Sequence, residues 1–320
     1  MTTAFIFPGQ GSQAVGMGKA LAETFPVAKA VFDEVDAALS QKLSTVMWEG
    51  PLDELTLTAN AQPALMAVSL AVIRVLESEA GLDLARDAAF VAGHSLGEYS
   101  ALAAAGTFSI ADAARLLRIR GDAMQKAAPP GEGAMAALLG VELDPARAIA
   151  ADAAQGQVCQ VANDNGGGQV VLSGAKTAID RAIVLAGERG VRRAMLLPVS
   201  APFHCTLMQP AAEAMQAALA QVAMRAPVVA VMANVGAAPL SDPDAIRASL
   251  VAQVTGTVRW RECVEAMAAA GVTRFVEVGS GKVLAGLVKR IAAGATPISV
   301  GTADDIAGYK SLNGDKTLNG

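Results

Sequence analysis

The chain has 320 residues, of which 53% are hydrophobic and 17% charged, and its formal net charge is −5. A chain this apolar can bury a large core, which excludes disorder, and its acidic balance excludes nonspecific nucleic-acid binding. Its three cysteines are odd in number and lack metal-site spacing, which fits a reducing, cytoplasmic setting. No basic leader precedes the first apolar run. Charged or polar residues interrupt each later run, so neither a secretory signal nor a membrane-spanning helix is expected.

Ala4 to Phe7 reads as a short buried strand that ends in the glycine-containing loop Pro8-Gly9-Gln10-Gly11-Ser12-Gln13. Helices follow at about Met17 to Glu23, Pro26 to Leu39 and Asn60 to Ala80, the last with Leu65, Val68, Val72, Val75 and Leu76 on one side. Ala89 to Val91 is a strand end running into a helix from Leu96 to Ala105. In the helix Ile110 to Ala127, the residues Ala113, Leu116, Leu117, Arg120 and Met124 share a face. Arg115 and Arg118 fall on the opposite, solvated face, with Arg118 at ion-pair spacing from Asp122.

After the linker Pro129 to Gly133, the texture changes. Strand Ala134 to Val141, helix Pro145 to Ala154, strand Gln157 to Val161, strand Gln169 to Leu172, helix Lys176 to Glu188 and strand Val191 to Leu197 give β-α-β-β-α-β. That order is the ferredoxin-like split unit. Residues 129–197 are therefore expected to form an inserted subdomain, and residues 1–128 and 198–301 the main α/β domain. Beyond it, strands at Val228 to Met232, Arg274 to Val278 and Pro297 to Val300 alternate with helices at Thr206 to Val222, Asp242 to Val254, Arg259 to Ala270 and up to Ile291. The alternation predicts a parallel sheet covered by helices, and residues 302–320 a polar, frayed tail.

The chemistry gathers at Gly93-His94-Ser95-Leu96-Gly97-Glu98. The G-x-S-x-G spacing on a strand-to-helix turn raises a serine hydroxyl above the strand end, beside the free N–H groups of a helix start. A serine nucleophile needs a base, and the chain has two histidines. His94 adjoins the serine and reads as a support for the turn. His204, in a proline-containing loop after a strand, is the candidate base. Cys205 should diverge from it. No acid stands at an obvious strand end of the main sheet between Ser95 and His204, so a carbonyl is expected to orient the imidazole. Arg120 projects from an apolar stripe, where a guanidinium is costly unless paired. It is an internal ion pair, a snorkelling side chain, or a fork for a substrate carboxylate. A serine hydrolase remains open at this point.

These residues together resemble the malonyl-CoA:acyl carrier protein transacylase family of bacterial fatty acid synthesis. The resemblance runs from Phe5 to about Val300, through Phe7 to Gln13, Gly93 to Glu98, Arg120-Gly121, Asn163 to Val171, Pro202-Phe203-His204, and Gln253 with Val258-Arg259-Trp260. It implies a hydrolase-like parallel-sheet domain carrying a ferredoxin-like insertion, with Ser95 as nucleophile and His204 as base. It also implies that Arg120 clamps the malonyl carboxylate, that the N–H groups of Gln10 and Leu96 form the oxyanion hole, and that a Gln253 carbonyl orients His204. Asn163 matches a position lining the site. Leu96 and Phe203 match members selective for malonyl, whereas methylmalonyl-selective ones commonly carry Gln and Ser there. Ala201 and Cys205 depart from the usual Gly and Ser. No cofactor or metal is implied, because coenzyme A and the holo acyl carrier protein bring their own phosphopantetheine. An acidic carrier would meet a basic patch, for which Arg189, Arg192 and Arg193 form the densest cluster.

Overall fold

The computed structural model describes residues 1–129, 131–199 and 201–313. Its strands in chain order are Thr3–Phe7 (β1), Phe90–Gly93 (β2), Gly133–Leu139 (β3), Cys159–Asp164 (β4), Gln169–Ala175 (β5), Arg193–Leu196 (β6), Val231–Ala233 (β7), Ala238–Leu240 (β8), Arg274–Val278 (β9) and Thr296–Val300 (β10). Six of them form one sheet in the order β10-β9-β1-β2-β7-β8. All its neighbouring pairs are parallel except β7 with β8, which are antiparallel. β1 lies inside this sheet and every one of its residues is buried. Its side chains alternate between two cores. Phe5 and Phe7 pack with the large helical layer, while Ala4 and Ile6 face Trp260, Val264 and Phe275 on the other side. Such two-sided burial is why the parallel strands read as continuous apolar runs.

The remaining four strands form an antiparallel sheet ordered β4-β5-β3-β6, backed by helices Leu143–Ala154 and Lys176–Glu188. This is the expected β-α-β-β-α-β insertion, with an apolar core of its own around Leu138, Ile149, Leu172 and Ile179. It is tied to the main domain along β4. Val258 N–H donates to the Ala162 carbonyl at 2.8 Å, Asp164 N–H donates to the Val258 carbonyl at 3.0 Å, and Arg261 pairs with buried Asp164 at 2.9 Å. The cleft between the two units opens at the carboxyl ends of β1 and β2, where ligands meet open α/β sheets.

Four expectations need correction. Helix Thr58–Ala80 is long and apolar enough to cross a membrane, contrary to the reading of interrupted runs, but 89% of its apolar window is buried inside the fold. It is the central helix of the main core, packed against helices Pro26–Leu39 and Ile110–Lys126. The expected frayed tail begins instead with helix Ala303–Asn313, which seats Ile306 and Tyr309 in the core; residues 314–320 lie outside the described part. Its start is capped reciprocally. Asp305 accepts from the Gly301 and Thr302 N–H groups, while Thr302 Oγ1 accepts from Asp305 N–H at 3.2 Å. Arg118 does not pair with Asp122. It crosses to Asn60 Oδ1 at 2.8 Å and Gln41 Oε1 at 2.6 Å, and is half-buried while Arg115 on the same face is exposed. Finally, the short helices Leu43–Glu49, Leu52–Thr56 and Leu84–Asp87 and the hairpin strand β8 appear where only loop was expected.

Candidate active site

The turn after β2 is sharp. Ser95 sits at φ 54°, a left-handed conformation that a non-glycine residue adopts only when its surroundings hold it there. The flanking glycines are required by space. A Cβ on Gly93 would lie 1.9 Å from the Gly97 carbonyl carbon, and one on Gly97 would lie 2.3 Å from the Phe7 carbonyl oxygen. This close approach brings the end of β1, and with it Gln10, beside the serine. Asn234, immediately after β7, clamps the turn from the other side. Its Oδ1 accepts from the Ser95 N–H at 2.8 Å, and its Nδ2 donates to the Gly93 carbonyl at 2.7 Å.

His204 reaches the same point from the loop that leaves the inserted subdomain. Its Nε2 stands 2.8 Å from Ser95 Oγ, and its Nδ1 stands 2.9 Å from the main-chain oxygen of Gln253. A carbonyl can only accept, so Nδ1 carries the proton and Nε2 presents its lone pair to the serine hydroxyl. The imidazole is 4% exposed. Burial and the nearby Arg120 guanidinium push its pKa down to about 3, so it is neutral and basic-competent throughout the neutral range. A free histidine would switch off near pH 6.5. Here the acid limb of Ser95 acylation is expected below pH 5, because protonation of a base with a lowered pKa needs more acid. Single-turnover rates measured from pH 5 to 8 check this, and an inflection near 6.5 would contradict it.

Arg120 is 1% exposed. Its Nη1 donates to Gln62 Oε1 at 2.9 Å, and its Nη2 donates to Gln253 Oε1 at 2.9 Å and to Ser95 Oγ at 3.1 Å. Its guanidinium lies over the Tyr99 ring, 5.6 Å from the centroid. The direct partners are neutral, so the internal ion-pair alternative for this residue falls away among the described residues. A buried cation held only by amides, a hydroxyl and a ring is ready for an anion. The cavity in front of it measures about 400 Å³ and is lined by Gln10, Gln62, Ser95, Leu96, Met124, Asn163, Phe203 and His204, among others. Every site residue singled out from the sequence therefore meets here, except that Gln253 acts from behind the cavity wall. The N–H groups of Gln10 and Leu96 make no internal hydrogen bond among the described residues, which leaves them able to receive an oxyanion next to Ser95.

Sequence reasoning missed four participants. Gln62 and Asn234 act through side-chain amides that carry no motif. Asn165, in the inserted subdomain, holds His94 Nε2 at 2.9 Å, while Trp260 packs on the same ring at 5.7 Å; His94 is indeed a hydrogen-bonded support. Glu98 is 1% exposed, and burial raises its carboxyl pKa to about 7. The thiol of Cys205 points away to the Pro202 carbonyl, as expected. In the basic cluster, Arg189 is paired with Asp152, while Arg192 and Arg193 are exposed.

Residues 4–305 match the acyl transferase domain family. The chain belongs to that family. Among curated acyl transferases it is 46% identical to the malonyl CoA-acyl carrier protein transacylase of Escherichia coli strain K12, over 90% of this chain and 92% of that protein. It is also 46% identical to the protein of the same name from Bacillus subtilis strain 168, over 90% of each chain. The crystal structure of the acyl-carrier-protein S-malonyltransferase from Bartonella henselae superposes with a TM-score of 0.96 at 57% identity, covering 98% of this chain and 100% of that one. A malonyl-transacylase solved in complex with a type II polyketide synthase acyl-carrier protein matches with a TM-score of 0.94 at 38% identity, covering 98% of this chain and 100% of that one.

Proposed function

We propose that this acyl transferase moves the malonyl group from malonyl-CoA to the phosphopantetheine thiol of acyl carrier protein, supplying fatty acid elongation. The observation that carries the reading is the Ser95–His204 pair with a buried, carboxylate-free Arg120 at the same hydroxyl. His204 takes the Ser95 proton as the hydroxyl attacks the thioester carbonyl, and the Gln10 and Leu96 N–H groups receive the oxyanion. The tetrahedral species collapses with loss of the coenzyme A thiolate, which takes the proton from His204, leaving a malonyl-serine ester. The carrier thiol then gives its proton to His204, attacks the ester and departs as malonyl thioester, restoring the serine. Arg120 binds the free carboxylate throughout. Phe203 and Leu96 narrow the wall against an α-methyl group. The reaction as written uses no bound cofactor or metal beyond the phosphopantetheine of its two substrates. The three cysteines, free and buried, fit a reducing, cytoplasmic compartment.

Intact-mass measurement tests this directly. Brief incubation with malonyl-CoA is expected to add one malonyl group to the protein, and holo acyl carrier protein is expected to remove it and gain the same mass. Release of free malonate without an adduct or transfer would indicate a hydrolase and end the reading.

A further inference from the structure

His204 is oriented by a main-chain carbonyl, and among the described residues no acid is bonded to the base. A buried carboxylate nevertheless lies one residue farther back. Glu98, in the first turn of the helix that starts at the nucleophile, accepts on one oxygen, Oε2, from Asn234 N–H at 3.0 Å and from Gln253 Nε2 at 2.8 Å. Each of these partners holds half of the reacting pair. The Asn234 side chain fixes the Ser95 N–H and the Gly93 carbonyl. Gln253 receives His204 Nδ1 on its main-chain oxygen, donates to the Ser95 carbonyl at 3.0 Å, and accepts from Arg120. The Gln253 amide thus stands between Arg120, which can only donate, and Oε2 of Glu98, which accepts, and this sets its orientation without ambiguity.

We propose that Glu98 is a positioning residue for acyl transfer: through Oε2 alone it fixes Asn234 and Gln253, and through them the alignment of Ser95 with His204. Among the described residues the other oxygen, Oε1, has no hydrogen-bond partner. A carboxamide that places its oxygen at the Oε2 position keeps both bonds, whereas alanine leaves two buried donors unpaired. The inference rests on the acyl-transfer reading for its substrate assay, but alignment can be read without that substrate.

The experiment compares wild type, Glu98→Ala, Glu98→Gln and Leu102→Ala. Leu102 is fully buried on the same helix and touches none of these bonds, so it controls for lost stability alone. Ser95 modification is followed by mass, once with malonyl-CoA and once with phenylmethanesulfonyl fluoride. Glu98→Ala is expected to slow both by about 100-fold, the effect of a misaligned reacting pair. Glu98→Gln stays within about fivefold of wild type, and Leu102→Ala modifies Ser95 at the wild-type rate with a lower Tm. The acid limb should also rise toward 6.5 in Glu98→Ala, where water reaches His204, but not in Glu98→Gln. The ionisable groups that bear on Glu98 are Arg120, Tyr99 and Cys263, and His204 also senses His94; none is altered in these variants. Should Glu98→Ala not fold, Glu98→Leu fills the space without an acceptor and makes the same comparison. The proposal fails if Glu98→Ala reacts normally, if Glu98→Gln is as slow as Glu98→Ala, or if Leu102→Ala is equally slow. If wild type takes up the sulfonyl group but not malonyl, and the order of variants persists, the acyl-transfer reading fails while the positioning role stands.

Discussion

Ser95→Ala is expected to abolish the malonyl adduct and to lower transfer to carrier protein by at least about 10³-fold, since among the described residues Ser95 carries the hydroxyl that His204 Nε2 holds, at 2.8 Å. His204→Ala should lower the acylation rate by about 10²–10⁴-fold, the range for removing a positioned general base. The two losses should not add, because the hydroxyl and the imidazole act through one hydrogen bond of 2.8 Å. A double variant about as slow as Ser95→Ala alone is the expected result. Intact mass after rapid quenching measures the adduct, and thermal denaturation checks that the variants fold. If Ser95→Ala still accumulated malonyl, the nucleophile would lie elsewhere. Cys205 is a poor substitute: it is fully buried, its thiol faces the Pro202 carbonyl, and burial raises its pKa.

The parts of this fold that were legible in the sequence are those with a strong local signal. The inserted subdomain announced itself because each of its elements has a clean period and a proline–glycine linker precedes it. Helix Lys176–Glu188 and strand β9 fall at their expected bounds. The elements that escaped are short or polar. Leu43–Glu49 and Leu52–Thr56 span too few turns for a periodicity to emerge, and β8 is a three-residue antiparallel partner of β7 with a proline at its centre. The terminal helix did leave a sign, Thr302-x-x-Asp305, which is a capping box with Asp in the usual place of Glu. Within the site, Ser95, His204 and Arg120 could be argued from residue chemistry. Gln10, Leu96, Asn163, Phe203 and Gln253 came only through a family resemblance, because a main-chain N–H or carbonyl has no signature in the sequence. Asn234 was not legible at all. Its role arises from β7 pairing with β2, which places the residue after one strand against the turn after the other. Glu98 is visible in the serine motif, but it stands in the first turn of a helix and not at a strand end, where an acid partner is expected.

Arg120→Ala separates the two jobs its guanidinium could do. If Arg120 recognises a carboxylate, malonyl loading should fall by about 10²–10³-fold, in line with about 2–5 kcal/mol for truncating one partner of a buried charged contact. Acetyl loading should be unchanged or faster, because acetyl offers the cation nothing. Free Arg120 is already bonded to Gln62 and Gln253, so an acetyl group does not leave it bare. Discrimination therefore comes from the gain with malonyl more than from a penalty with acetyl. Arg120→Lys should recover only part of the loss: one ammonium cannot reproduce a planar fork whose two ends already reach different amides. The competing job follows from Nη2, which also donates to Ser95 Oγ at 3.1 Å. A cation there stabilises the serine as its proton leaves, and this would help every acyl donor equally. Single-turnover acylation with malonyl-CoA and acetyl-CoA decides between them. A loss confined to malonyl assigns Arg120 to the carboxylate, while equal losses on both assign it to the nucleophile and overturn its role in selecting the acyl group.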